Sequence, residues 1–396
     1  MLLRKTIRLK PTPEQELLFR KSAGVARWAY NFYISEQERT YQEYLTNNKT
    51  GNKTISPNDV RKYINNILKP TVEYQWLKDV GSNVMKQGVT DAFNAYKRFY
   101  NGKSNKPKYH SKRKNRLSFY VNYESLTKRN GGFHGERIGF IKTSEALPDL
   151  INQRHYSDPR IYYDNKYWYL SIAIDEPIVA CELTDEKLGI DLGIKDLAIC
   201  SNNKKYKNIN KTYRVKKIKK KLKRAQKKYS RKILHNIKAY DKNKKPIYNR
   251  SLDECKNIQK QKHTIQLLNR RLANIRHNYL HQVTTEIVKT KLSRIVMEDL
   301  NIKGMMQNRH LSKSIGEQGL YCFKQMIQYK CLKYGIEFCQ VPTFYPSSKT
   351  CSHCGNIKKD LKLSDRIYHC NECGLIIDRD YNAAINLANY IFTESV

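Results

Sequence analysis

Acidic residues are scarce in this chain. Asp and Glu number 36 against 75 Lys and Arg, a formal net charge of +39 over 396 residues. Such an excess repels itself in a compact fold unless a polyanion offsets it, so the deficit of acids points to nucleic acid as the partner class. Charge alone does not separate an enzyme from a ribosomal or chromatin-type protein. Long apolar runs are also missing, and no segment is expected to cross a bilayer. The basic residues are spread over the whole length and do not flank one apolar helix, which disfavours a membrane-surface role. The opening Met1-Leu2-Leu3-Arg4-Lys5 lacks an apolar signal core, so an intracellular compartment is expected. There is no internal repeat and no Gly/Ser linker.

What is present is a foldable chain. Its 29 Tyr and ordinary apolar content set it apart from a disordered basic tail, and its length suits two or three domains. A strand is expected at Lys5 to Leu9. Thr12-Pro13-Glu14-Gln15 reads as a capping box with proline at the first helical position. Leu18, Val25, Trp28 and Phe32 then follow helical spacing, Ser56-Pro57 opens a second helix, and Ser82 to Tyr100 forms a third. A basic connector, Asn101 to Arg116, carries Lys106, Lys108, Lys112 and Arg113. Strand signals follow at Arg116 to Tyr123, at Arg137 to Lys142, and in a hairpin from Arg160 to Ile174 turning at Asp164-Asn165. A small β-barrel to which the first strand returns would fit.

From Leu188 an apolar strand carries Asp191, and a second strand follows near Ala198. Asn202 to Arg250 contains one acid, Asp241, and holds a helix from Lys211 to Lys232 charged nearly all round. Within it Lys216, Lys217, Lys220, Lys221, Arg224, Lys227 and Lys228, with no acids to pair them, are expected to meet phosphates. A long amphipathic helix returns through Leu272, Val283 and Ile287. Arg294 to Glu298 is a short buried strand, followed by a helix from Ser314 to Tyr334 and a strand from Glu337 to Val341. Aromatic and basic residues interleave at Arg27 to Tyr30 and Tyr96 to Tyr100; core packing is expected there in preference to base stacking.

Four of the ten Cys are regularly placed. Cys351-x2-Cys354 and Cys370-x2-Cys373 are separated by fifteen residues, and each pair is followed by a glycine, Gly355 or Gly374. This is the spacing of a closed four-thiolate structural zinc site, with His353 and His369 as adjacent alternative ligands and a disulfide pair as the competing reading. The other six Cys are expected to be inert packing residues.

Three acids stand out by position. Asp191 interrupts an apolar strand, Glu298 ends another, and Asp380 precedes a helix start. Burying carboxylates among apolar residues costs several kcal/mol unless a cation compensates. A pair of divalent ions would do so and would suit phosphodiester cleavage. Asp378 is read as a helix-start residue and Asp299 as a cap after the strand.

Gly189-Ile190-Asp191-Leu192-Gly193, Ile295-Val296-Met297-Glu298-Asp299-Leu300, the Cys knuckles and Asp378-Arg379-Asp380-Tyr381-Asn382-Ala383-Ala384 together resemble the TnpB family. These are transposon-encoded nucleases related to compact type V CRISPR effectors. The N-terminal Lys5 to Thr12 and the Lys106 to Tyr109 segment also resemble that family. The resemblance implies a multidomain α/β protein with an RNase H-like (RuvC) nuclease domain at 187–344 and 378–396. It also implies a zinc-ribbon insert at 345–377 that binds target nucleic acid, a helical recognition lobe at 12–100, and a β-barrel wedge domain at 1–11 and 101–186. Asp191, Glu298 and Asp380 take the catalytic positions for two Mg²⁺ (or Mn²⁺), and Cys351, Cys354, Cys370 and Cys373 hold one Zn²⁺. The implied partners are a guide RNA from the transposon end and target double-stranded DNA, with a partner transposase linked only genetically. The implied location is a prokaryotic cytoplasm, at the nucleoid when bound to DNA. No second nuclease of the His-Asn-His type is evident, so one site would cut both strands. A guide-dependent binding protein that does not cut, and a transposase or resolvase, are the competing functions; fold alone does not decide among them.

Overall fold

The computed structural model describes residues 1–392 except 154, 180 and 363. Residues 393–396, the end of the segment expected to close the nuclease domain, lie outside the described residues, as do 154 and 180 of the expected wedge span and 363 of the ribbon. The chain forms two compact units, Met1–Glu176 and Pro177–Val396.

The first unit begins with β1 (Leu2–Lys10) and α1 (Pro13–Thr46). The Thr12 hydroxyl accepts from the Gln15 amide, and the Gln15 side chain accepts from the Thr12 amide, so the capping box forms with Pro13 in the first turn. After α2 (Pro57–Tyr63), capped by Ser56, a π-turn and a 3-10 turn lead to α3 (Ser82–Tyr100). The helix bounds expected at Ser82 and Tyr100 are met, because the apolar positions Val84, Met85, Val89, Ala92 and Tyr96 bury one continuous stripe.

Strands β2 (Ser118–Tyr120), β3 (Thr127–Arg129), β4 (Gly132–Gly135), β5 (Gly139–Thr143), β6 (Tyr156–Tyr163) and β7 (Trp168–Asp175) join β1 in a seven-stranded sheet. Its order is β2-β6-β7-β1-β5-β4-β3. The first strand does return to this sheet, bridging β7 and β5 at its middle. The β6–β7 hairpin turns at Asp164-Asn165, with Asn165 left-handed at φ 73°. The β3–β4 hairpin was not expected, because its strands are three and four residues long and the second has glycine at both ends. Trp168, Tyr33, Phe19 and Phe133 are fully buried, and Phe19 meets Trp168 edge-on at 5.1 Å.

The second unit is built on a five-stranded sheet. Its first strands are β8 (Thr184–Leu192), β9 (Asp196–Cys200) and β10 (Lys205–Lys207). There follow α4 (Tyr213–His235), a hairpin of β11 (Ile237–Tyr240) and β12 (Pro246–Tyr248), α5 (Lys256–Val288) and β13 (Leu292–Glu298). Short α6 (Ile302–Met305), α7 (Ser312–Gln318) and α8 (Leu320–Tyr334) lead to β14 (Glu337–Val341). The sheet order is β10-β9-β8-β13-β14; β8, β13 and β14 run parallel, joined by helical crossovers. One face packs Leu188, Ile190, Ile295 and Met297 against α5 and α8. The other carries Val296 and Val341 beneath the final helix, α9 (Arg379–Ala388), which follows the small hairpin β15 (Ile367–His369) and β16 (Ile376–Asp378).

Four expectations need correcting here. The helix expected from Ser314 to Tyr334 is two helices, broken at Gly319, which is left-handed at φ 73°. The lysine-rich helix is not charged all round: Val215, Ile218 and Leu222 form a stripe against Leu268, Leu272 and Ile275 of α5. Asp299 caps no helix; Asn301 caps α6, and Asp299 accepts from Gln340 and pairs with Lys324 at 3.2 Å. The strand that carries Asp191 begins at Thr184, three residues ahead of the boundary expected at Lys187.

Candidate active site and metal centre

Pairing register brings two of the acids side by side. Leu188, Gly189 and Ile190 of β8 stand opposite Ile295, Val296 and Met297 of β13. One residue further on, Asp191 and Glu298 are neighbours, with α-carbons about 5 Å apart by the spacing of adjacent strands. Alternation along each strand puts Asp191 on the face of Gly189, and Glu298 on the face of Val296. That is the face covered by α9. A β-carbon at Gly189 would lie 2.0 Å from the Ala384 carbonyl oxygen and 2.5 Å from the Ala388 nitrogen, so only glycine lets the helix lie this close. Asp380 sits one helical turn before Ala384, on the same side of α9. Each acid is therefore aimed by a different element at one end of one sheet.

The electrostatics agree. Asp191 is half-buried, and the desolvation of its carboxyl holds it well above the usual carboxylate range; the charges of Glu298 and Asp380 add to this. Glu298 is also raised by burial, against the opposing hydrogen bond from the Ser347 hydroxyl. Asp380 is paired with Arg379 at 3.0 Å and lies 3.8 Å from Arg366. Asp378 is pushed up by burial, but the Tyr381 and Asp380 amides and Lys205 outweigh that and lower its pKa. It caps α9 by accepting from both amides at 3.0 Å, the helix-start role expected of it.

Ser347, Arg379, Asn382 and Asn386 were not singled out in the sequence. Asn386 donates to the carbonyls of Ser347 and Thr350, and Asn382 to that of Thr350, each at 2.7 Å. The Ser352 amide donates to Asn382 at 2.9 Å. These buried amides tie α9 to the segment entering the first Cys knuckle. Their signal was present: two asparagines four apart, on the face of a helix that otherwise buries Ala383, Ala384 and Leu387.

The four Cys meet as spaced. Cys351 and Cys373 sulfurs are 3.6 Å apart, and those of Cys354 and Cys370 are 3.5 Å apart. A tetrahedron with metal–sulfur bonds of about 2.3 Å has edges of about 3.8 Å, so the donor set fits zinc. Gly355 and Gly374 are left-handed, at φ 77° and 71°, and their amides close matching turns onto the Cys351 and Cys370 carbonyls. The Cys373 amide helps lower Cys370 to about 6. The Asn356 amide favours the Cys354 thiolate, yet burial and the neighbouring thiols push it to about 12. Four thiols this close share little charge until a cation joins them. Among the described residues they are the group of candidate ligands whose donor atoms all lie within 4.8 Å of one another; the acid triad is not drawn that tight. Of the scattered Cys, Cys200 and Cys331 are buried and pushed up to about 12, which makes them poor nucleophiles.

The candidate phosphate contacts are all exposed: Lys106, Lys108, Lys112 and Arg113 in the connector, and Lys216, Lys217, Lys220, Lys221, Arg224, Lys227 and Lys228 on α4. Lys106 is partly occupied by Glu38 at 3.2 Å. No helix among the described residues is long and apolar enough to cross a membrane.

Comparison with known proteins follows the same lines. Three family models match: "Helix-turn-helix domain" over residues 1–46, "Probable transposase" over 171–309, and "Cas12f1-like, TNB domain" over 321–387. In this chain the first of those spans is one strand and one long helix. An Escherichia coli (strain K12) relative named "Putative RNA-guided DNA endonuclease InsQ" is 27% identical over 96% of this chain and 90% of its own length. A Streptomyces pristinaespiralis relative named "Putative RNA-guided DNA endonuclease" is 26% identical over 96% of this chain and 87% of its own. The fold matches a chain of the "Cas12f1-sgRNA-target DNA complex" with a TM-score of 0.56 at 15% identity, covering 98% of this chain and 99% of that one. The multidomain α/β architecture is thus shared with a compact Cas12 effector, and the family models and relatives together support a TnpB-family protein.

Proposed function

We propose that the chain is an RNA-guided endonuclease. It would cleave double-stranded DNA beside a short transposon-adjacent motif, by two-metal phosphodiester hydrolysis at Asp191, Glu298 and Asp380. The observation that carries this reading is the convergence of three acids from β8, β13 and α9, with Asp191 held above its ordinary range by burial and, on top of that, by the charges of its two neighbours. A purely structural cluster would be expected to pair each acid. Among the described residues the arginine ion pairs of the triad fall on Asp380, and the charge on Asp191 and Glu298 is left for a cation. Three carboxylates supply the hard oxygen donors that Mg²⁺ or Mn²⁺ prefers. When bound, such ions lower the pKa of water and stabilise charge on the leaving oxygen. The chain's own part is to hold the carboxylates: Ser347 orients Glu298, Arg379 orients Asp380, and α9 seats Asp380 over β8.

The remaining assignments follow the same reading. The sheet of 187–344 with 378–396 would be the RuvC-like nuclease, and 345–377 a zinc ribbon placed against target DNA. Residues 12–100 would form the recognition lobe, with 1–11 and 101–186 the β-barrel wedge. A guide–target duplex is gripped by its backbone while base pairing reads the sequence, which suits the exposed lysines of α4 and the connector. The names of the Escherichia coli and Streptomyces relatives support a guided nuclease. The "Probable transposase" description favours the alternative of a recombinase. Protein co-purified with its native transcript, supplied with Mg²⁺ and a plasmid library, separates them. Guide-matched, motif-dependent cutting supports the proposal. Retention of RNA and matched binding without cutting supports a binding protein, and cutting without RNA supports a transposase or resolvase.

A further inference from the structure

The interleaved segment Tyr96 to Tyr100 does two things. Tyr96 is buried in the core as expected, whereas Tyr100 is 45% exposed. Beside them opens a cleft of about 820 Å³, formed where the second half of α1, the loop before α2 and the end of α3 meet the root of the basic connector. Tyr41, Phe99 and Tyr100 present aromatic surface to it, Tyr96 forms part of its wall, and Lys53 and Lys106 bring ammonium groups. The wall is fixed: the buried Gln37 side chain donates to the Lys53 carbonyl and accepts from the Ile55 amide.

We propose that this cleft is a binding site for an unpaired nucleotide of a single-stranded nucleic acid, its base against the rings of Tyr100 and Tyr41 and its phosphate at Lys53. Flat aromatic surface beside cations is the combination that holds single strands without sequence readout. The rim acids are already engaged: Glu36 and Glu43 by Arg39, and Glu38 by Lys106 and the Tyr109 hydroxyl. Lys53 is exposed and has no carboxylate partner among the described residues, so it is free for a phosphate. The Tyr96 hydroxyl, behind this wall, is buried and has no hydrogen-bond partner among the described residues. The connector that continues from the cleft bears Lys108, Lys112 and Arg113, which extends the positive path along a strand. This site rests on the reading that the chain carries nucleic acid, and not on cleavage.

The test is photocrosslinking of the full chain to two oligonucleotides of one sequence, an RNA with a single 5-iodouridine and a DNA with a single 5-iododeoxyuridine, mapped by peptide mass spectrometry. The expected adducts fall on Tyr41, Phe99 or Tyr100, and the arm that gives them tells whether guide RNA or displaced DNA is the source. Tyr100→Ala, an exposed substitution, should weaken that adduct about 5- to 150-fold, matching the ~1–3 kcal/mol of one stacked base. Lys53→Glu should do so as well. Adducts confined to other regions, such as α4, would overturn the site while leaving nucleic-acid binding intact. An undiminished adduct on α1 in Tyr100→Ala would also overturn it. The absence of any adduct would overturn both the site and the carriage of single strands.

Discussion

Asp191 is a residue whose fold and whose proposed work pull in opposite directions. Its folded-state pKa lies above the ordinary 3.8, so the native chain keeps a proton that the unfolded chain has lost. Stability therefore falls as pH rises from about 4 through the folded-state value, and the full penalty is present above it. Asp191→Asn should remove that penalty. Without divalent ions it should raise the melting temperature by a few degrees at pH 8 and much less at pH 4, while cutting DNA cleavage at least a hundredfold. Added Mg²⁺ should stabilise the parent chain and leave the variant nearly unchanged. A variant less stable than its parent at pH 8 would mean that Asp191 is a structural residue with a partner of its own. Asp191 was legible in sequence because a carboxylate among Leu188, Ile190 and Leu192 is costly without a purpose. Ser347 was not, because its partner Glu298 lies 49 residues away and nothing local marks it.

At the scale of elements, α9 is the part on which the site turns. Gly189→Ala would drive a methyl into the Ala384 carbonyl and Ala388 amide, displacing the helix and Asp380 with it. The expected cost is about 1–3 kcal/mol in thermal unfolding, with a larger loss in cleavage than in stability. The asparagine ladder makes the ribbon part of the same assembly. Cys370→Ser should lower the metal content from roughly one zinc per chain. Through Asn382, Asn386 and Ser347 it should also loosen Glu298, so that cleavage falls even where DNA binding persists. Metal analysis beside a cleavage assay reads both. Helix ends were legible where caps and spacing spoke locally, as at Thr12, Ser56 and Asp378. The break at Gly319 was missed because apolar periodicity runs on through it. The β3–β4 hairpin was missed because strands of three and four residues carry too little pattern. Strand order is a long-range property: the parallel pairing of β8 with β13 spans more than a hundred residues and leaves no local trace.

For the whole molecule, the governing quantity is the charge of +39. RNA affinity should fall steeply with salt. Reversing Lys216, Lys217, Lys220 and Lys221 to Glu should weaken binding and flatten the salt slope by about 0.7–0.9 per lost phosphate contact. These residues are exposed, whereas Val215 and Ile218 hold α4 to α5, so the fold should survive. An unchanged slope would remove α4 from the nucleic-acid surface. The partner class was legible from composition alone; which lysines face phosphate depends on the packing of α4, which the run of charges concealed. The most direct test of the central claim is cleavage of a plasmid library in Mg²⁺ by protein carrying its native transcript, beside an Asp191→Ala variant. Cutting confined to guide-matched targets, dependent on the RNA and lost in the variant, is the predicted result. Cutting that persists in Asp191→Ala, or that needs no RNA, would contradict it.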